Sequence, residues 1–212
     1  MTTRRALLAG ASGLVGGHCL SALTADPDYE AVHALVRRPL ERSHPKLTMH
    51  TVDFASLPLP PARVDDAYCC LGTTMKLAGT QEAFERVDFE YVRNFAQLAL
   101  AAGATQCLLV SAVGADARSL VYYNRVKGQA EEAVQALGFR CVHVFRPSLL
   151  LGPRREERPM EALGQSIAPA LAPLLVGSLA RYRAVPAELV AERMVQAAKQ
   201  DQSGVHIHYF TD

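Results

Sequence analysis

The residues best equipped for chemistry are Ser111, Tyr123 and Lys127, the last two held in the spacing Tyr123-Asn124-Arg125-Val126-Lys127. Such a spacing on a helix puts both side chains on one face, about 6 Å apart along the axis. A lysine ammonium beside a phenol favours the phenolate, so Tyr123 can exchange a proton with a carbonyl or an alcohol near neutral pH. Ser111, closing an apolar run earlier in the chain, is the hydroxyl expected to hold the same oxygen. Tyr122 lies off that face and suits packing or pocket lining. A Tyr-x-x-x-Lys spacing arises by chance in many helices, so its weight depends on what precedes it.

What precedes it is the apolar run Arg5 to Ala9, ending in Gly10-Ala11-Ser12-Gly13-Leu14-Val15-Gly16 and leading directly into a helical pattern. Glycines there let the backbone turn sharply and approach a pyrophosphate, while the free N–H groups and positive dipole of the helix N-terminus favour the anion. Ser12, Leu14 and Val15 lie within this turn and count with Gly10, Gly13 and Gly16 as cofactor contacts. A tight strand-to-helix turn packed around Gly16 is the plainer explanation, and its place in a β-α-β unit favours the dinucleotide.

The second strand selects which dinucleotide. A site for NAD(H) usually ends that strand in an acid that accepts from the ribose hydroxyls, but here Ala31 to Val36 runs into Arg37-Arg38 with no acid near. Two guanidiniums form a fork for a 2′-phosphate, so the expected cofactor is NADP(H), two solvated loop arginines being the alternative. Asp53-Phe54, after the third strand, offers adenine an acid and an aromatic edge, although Asp53 also reads as a turn residue. Leu71, Gly72 and Thr73 end the fourth strand with little bulk beside the glycine turn and read as further contacts, unless Gly72 only turns the chain. Pro147 stiffens the exit of the sixth strand, or simply terminates it.

These residues need a scaffold, and the alternation of short apolar runs with helical patterns supplies one. Strands are expected at Arg5 to Ala9, Ala31 to Val36, Leu47 to Val52, Ala67 to Leu71, Gln106 to Ser111, Cys141 to Phe145 and Val205 to Tyr209. Helices are expected at Leu14 to Leu23, Asp88 to Ala102, Tyr122 to Leu137 and Ala187 to Gln200. The fold class is therefore α/β, a single Rossmann-like doubly wound parallel sheet of about seven strands with helices on both faces, forming one domain over 1–212. Residues 152–185, rich in Pro and Gly with charges crowded at Arg154 to Arg158, are expected to form a small C-terminal lid or substrate region.

Composition bounds the partners. Over 212 residues, 22 basic side chains balance 21 acidic ones for a net charge of +1, which argues against a general nucleic-acid or anionic-membrane surface. Ile167 to Ala180, the longest later apolar stretch, is too short to span a membrane and carries Pro169 and Pro173, so no integral membrane segment is expected. Arg4-Arg5 before an apolar stretch resembles a twin-arginine export signal, but cleavage there would remove a strand, a turn and a helix that continue into the domain. The five cysteines have no C-x-x-C spacing and read as core thiols in a reducing cytoplasm. His206 and His208 have no acidic partner in sequence, so no metal site is expected, and His18 and His33 suit a surface or packing role.

The glycine turn with Ser111 and Tyr123-x-x-x-Lys127 resembles the short-chain dehydrogenase/reductase superfamily, its atypical branch in particular. Cys69-Cys70-Leu71-Gly72-Thr73-Thr74, Gly114-Ala115-Asp116, Val126-Lys127-Gly128 and Phe145-Arg146-Pro147 with Leu149-Leu150 resemble the Tat-interacting oxidoreductase family over nearly the whole chain. The resemblance implies NADPH across the glycine turn, Arg37, Arg38, Leu71, Gly72, Tyr123 and Lys127, with Leu150 and Arg158 added, and Tyr123 as proton donor to a small-molecule carbonyl substrate. Ala112 departs from the pattern, since relatives often carry a second serine there. Two other readings stay open: an NADPH-binding regulatory or interaction protein of weak activity, and a sugar-nucleotide epimerase or dehydratase holding NAD. A homodimer or a protein partner is left open as well.

Overall fold

In β1 (Arg4–Ala9) the residues Ala6-Leu7-Leu8-Ala9 are all inaccessible to solvent, as befits a strand covered by helices on both faces. The computed structural model describes residues 3–58, 62–152, 177–200 and 202–211, with backbone alone for 177–179. After β1 come α1 (Leu14–Ala25), β2 (Tyr29–Val36), β3 (Leu47–Thr51), β4 (Asp66–Cys69), α2 (Met75–Ala78), α3 (Gln81–Glu85), a π-helical turn (Arg86–Glu90) and α4 (Tyr91–Ala101). Then follow β5 (Gln106–Val110), α5 (Tyr122–Gln135), β6 (Cys141–Phe145), β7 (Leu150–Leu151), a 3-10 turn (Gly177–Tyr182), β8 (Val185–Pro186), α6 (Ala187–Ala198) and β9 (Gly204–His208).

Seven strands form one parallel sheet in the order β3-β2-β1-β4-β5-β6-β9, the doubly wound arrangement expected from the sequence. Strand order reverses between β1 and β4, and the crevice at their carboxyl ends is where such sheets bind ligands. One face of the sheet buries Leu8, Leu20, Leu23 and Met194 against α1 and α6, the other Leu7, Phe95, Ala99 and Val134 against α4 and α5. Under the amino ends, Asp66 accepts from Arg4 Nε at 2.7 Å, from Tyr29 at 2.5 Å and from Gln106 at 2.6 Å, tying the central strands together.

Two features depart from expectation. Helical structure begins well before Asp88, because Thr74 and Thr80 accept from the N–H groups of Leu77 and Ala83 and so cap α2 and α3. Leu150 and Leu151 pair in parallel with Val185 and Pro186, bringing the stretch after β6 back beside the start of α6. Most of the expected lid at 152–185 lies outside the described residues.

The histidines are also more organised than expected. His143, fully buried on β6, is hydrogen-bonded through Nδ1 to Nε2 of His208 on β9 at 3.0 Å, and its ring stacks on that of His206 at 5.2 Å. Burial, with His208 and His206 as neighbours, pushes His143 down to about 4. A histidine held neutral in the fold contributes stability above its ordinary value of 6.5, and that contribution is lost as pH falls toward 4. Urea melts should therefore show stability falling between pH 7 and pH 5, with His143→Phe blunting the fall; an equal fall in the variant refutes this role.

Candidate functional site

The glycine turn is built as the sequence suggests. Gly10 has φ +84°, and a β-carbon there would stand 2.3 Å from the Cys70 carbonyl oxygen, an overlap that backbone cannot relieve. At Gly16 a β-carbon would meet the Gly10 carbonyl oxygen at 2.1 Å. Gly13 caps α1 with no side-chain hydrogen bond to its first N–H groups, so these donors point outward from the turn.

An open groove runs from this turn across the carboxyl ends of β2 and β4, and Gly10, Ser12, Gly13, Arg37, Phe54, Leu71 and Gly72 are among its lining residues. Seven expected contacts are thus brought together. Val87 and Tyr91 also line it, and neither was singled out from sequence, since both read there as ordinary positions near a helix start. Phe54 and Tyr91 stand with their ring centroids 5.9 Å apart.

Other expected residues are placed differently. Arg38 is exposed beside Arg37 but does not line the groove. Asp53 is exposed and accepts from Ala55 N at 2.9 Å, closing a turn. Val15 is core, and Leu14 packs toward Gly152. Thr73 directs its N–H to Asp88 at 2.8 Å. Pro147 is buried, its carbonyl accepting from Val113 N at 2.9 Å, and Leu150 belongs to β7. Arg158 lies outside the described residues.

Tyr123 and Lys127 sit on α5, Tyr123 half-buried with its ring 5.4 Å from that of Phe84. Gly128 lets α5 lie against the loop at Asp116 and Ala117, since a β-carbon would meet Ala117 N at 2.1 Å. Lys127 is buried, and its Nζ pairs with Asp88 Oδ1 at 2.8 Å. Burial by itself would push the ammonium down, but Asp88, with Tyr123 in support, holds it above the usual lysine value. Asp88 was overlooked as a site residue. It is fully inaccessible, is turned inward by the π-helical turn, and holds Lys127 with one oxygen and Thr73 with the other. Gly72 covers the pair, because a β-carbon there would lie 3.4 Å from both Asp88 Oδ1 and Lys127 Nζ. Tyr122 donates to the Gln81 carbonyl at 2.9 Å, the packing role expected of it.

Ser111 is committed elsewhere. Its hydroxyl donates to Glu131, a buried carboxylate that Arg146 grips through Nε at 3.0 Å and Nη2 at 2.5 Å, while Nη1 donates to Tyr209 at 2.7 Å. Glu131 follows Lys127 by one helical turn, so a polar stripe of Tyr123, Lys127 and Glu131 was readable along the helix.

Comparison with known proteins fits this architecture. No protein-family model matches the chain. Solved structures at TM-scores of 0.75 and 0.69 include MoeE5 in complex with UDP-glucose and NAD, 18% identical, and uronate dehydrogenase from Agrobacterium tumefaciens, 15% identical. They cover 98% of this chain and 76% of their own, and at such identity they show the fold alone, a Rossmann-like parallel α/β sheet. Among curated proteins, HTATIP2 of Rattus norvegicus is 35% identical over 210 residues, 96% of this chain and 85% of its own. Fmp52 of Emericella nidulans is 34% identical over 177 residues, 77% of this chain and 74% of its own. Fmp52 proteins of Emericella nidulans, Candida albicans and Eremothecium gossypii are named mitochondrial, which overturns the cytoplasmic expectation: core thiols report burial as readily as compartment. With its glycine turn, its Tyr-x-x-x-Lys helix and identity to HTATIP2 over nearly its whole length, the chain belongs to the Tat-interacting HTATIP2/Fmp52 family.

Proposed function

We propose that the protein is an NADPH-dependent oxidoreductase of the short-chain dehydrogenase/reductase type, reducing a small carbonyl with Tyr123 as the proton donor. The observation that carries this reading is the buried pair of Lys127 and Asp88 packed beside Gly72, a residue that itself lines the groove the glycine turn opens. The cradle at Gly10 and Gly16, filled by any β-carbon, and the outward N–H groups of α1 fit a pyrophosphate. Gly10, Ser12, Gly13, Leu71 and Gly72 would hold the dinucleotide, Phe54 and Tyr91 would flank its adenine, and Arg37 with Arg38 would take a 2′-phosphate. When bound, the nicotinamide supplies the hydride.

The chain's own part is to orient the carbonyl and move a proton. Tyr123 gives its phenolic proton to the carbonyl oxygen as negative charge develops there. Lys127, its charge secured by Asp88, stabilises the phenolate left behind and would hold the nicotinamide ribose. Ser111 has its proton engaged by Glu131, so it offers lone pairs only: it accepts from an alcohol and gives nothing to a carbonyl. The mitochondrial names of the Fmp52 relatives support that compartment for the activity.

Binding of NADPH and its consumption with a panel of aldehydes, ketones and quinones test the proposal. Tight binding without consumption would instead favour the interaction-protein reading, and co-purified NAD the epimerase one. The cofactor choice has its own test. Arg37→Ala combined with Arg38→Ala should weaken NADPH about ten- to a hundredfold, as expected for lost charge-assisted hydrogen bonds, and leave NADH binding unchanged. An equal loss for both nucleotides refutes the phosphate fork.

A further inference from the structure

Cys19 and Cys70 are two thiols that the proposed reaction does not use. Cys70 follows β4 and Cys19 lies on α1, and their sulfurs stand 3.8 Å apart. Cys19 is fully buried, with Met194 Sδ at 3.8 Å on its other side, whereas Cys70 is half-buried and lines the groove. The pair is distinct from the remaining cysteines: Cys69 and Cys107 are buried in the core on the opposite face of the sheet, and Cys141 faces His143. Cys70 is also part of the cradle, since its carbonyl is the atom against which Gly10 turns and its N–H donates to Ala9 at 2.9 Å.

We propose that Cys19 and Cys70 form a reversible dithiol/disulfide site through which hydroperoxides control the dinucleotide groove. The chemistry balances in two steps. Cys70, the less buried of the two, attacks the terminal oxygen of a hydroperoxide, whose O–O bond breaks to release an alcohol, or water from hydrogen peroxide, and leaves a sulfenic acid. Cys19 then attacks the Cys70 sulfur, the S–O bond breaks, and water leaves. Two thiols lose two electrons to the O–O bond, and a dithiol reductant restores them. A disulfide requires the sulfurs to close by about 1.8 Å. That closure pulls α1 and the tip of β4 together under the turn whose fit leaves no room for a β-carbon. The hydrogen bond to Cys19 and burial both hold the Cys70 thiol well above its usual value, so oxidation quickens as pH rises.

The effect on the groove rests on the NADPH reading; the disulfide itself does not. Reduced wild-type protein, Cys19→Ser and Cys70→Ser would be treated with hydrogen peroxide and mapped as non-reduced peptides by mass spectrometry. Wild type should give a Cys19–Cys70 linked peptide, lose two of its five titratable thiols and recover both with dithiothreitol, while neither variant gives the linked peptide. Oxidised wild type should bind NADPH at least about fivefold more weakly, and by linkage bound NADPH should disfavour the disulfide by the same factor. Absence of the linked peptide, or unchanged NADPH affinity once it has formed, overturns the proposal. Reduced protein that binds no NADPH fails the cofactor reading alone, because the linked peptide is read by mass.

Discussion

Tyr123→Phe is expected to lower the turnover of carbonyl reduction by about 10³-fold, within the range for a lost general acid, and to leave NADPH affinity and the melting temperature essentially unchanged. The substitution removes one oxygen and keeps the ring, so the packing on Phe84 at 5.4 Å persists. Tyr123 is half-buried and its packed ring is kept, so the fold loses little. The reaction has no substitute donor within the described site: Tyr122 is turned to the Gln81 carbonyl, Ser111 is held by Glu131, and position 112 is an alanine. Ser111→Ala should consequently cost far less turnover than Tyr123→Phe. Isothermal titration with NADPH beside steady-state kinetics separates these expectations, and loss of NADPH binding with turnover intact would remove Tyr123 from the chemistry.

That contrast shows where the sequence speaks and where it is silent. The sheet was legible because the central strands carry short apolar runs and several are followed by a helix, α4 with its own stop signal at Gly103. The glycine turn was legible because the reason for glycine is local: a left-handed residue at Gly10 and a crowded backbone at Gly16. Partnerships between distant charges were not. An acid at the start of an apolar stripe, as at Asp88, looks like a solvated helix-start residue until its partner is known, and Lys127 lies on another helix. Ser111 was assigned to substrate because its strand end faces the crevice, yet Glu131 competes for its proton, and only the approach of α5 to β5 and β6 brings the two together. The helix cap at Thr80 was missed for a related reason: a threonine before a mixed polar stretch has too little periodicity after it to declare a helix.

Asp88→Ala is the second substitution of large effect, and it separates a positioning residue from a catalytic one. Breaking a buried ion pair by removing one partner costs about 3–5 kcal/mol, because the remaining charge stays buried without compensation. In a domain of this size that lowers the melting temperature by roughly 10 °C. The sign of the pH dependence follows from Lys127. Its ammonium is held above the usual lysine value in the fold, so the pair's contribution is fully present below that usual value and is lost only as pH rises through the folded one. Wild type should therefore show no dependence on this pair between pH 6 and pH 9, near the ordinary lysine value of about 10.4. In Asp88→Ala burial acts on Lys127 without the Asp88 charge against it, the ammonium loses its proton at lower pH, and both stability and kcat should become sensitive to pH within that window. Asp88→Asn keeps an acceptor for Thr73 N and so restores the loop while leaving Lys127 uncompensated. If Asp88→Asn keeps the Thr73 loop in place but recovers neither the melting temperature nor kcat and its pH profile, Asp88 acts through the charge of Lys127. Recovery of all three by Asn would mean that the carboxylate serves only the Thr73 loop.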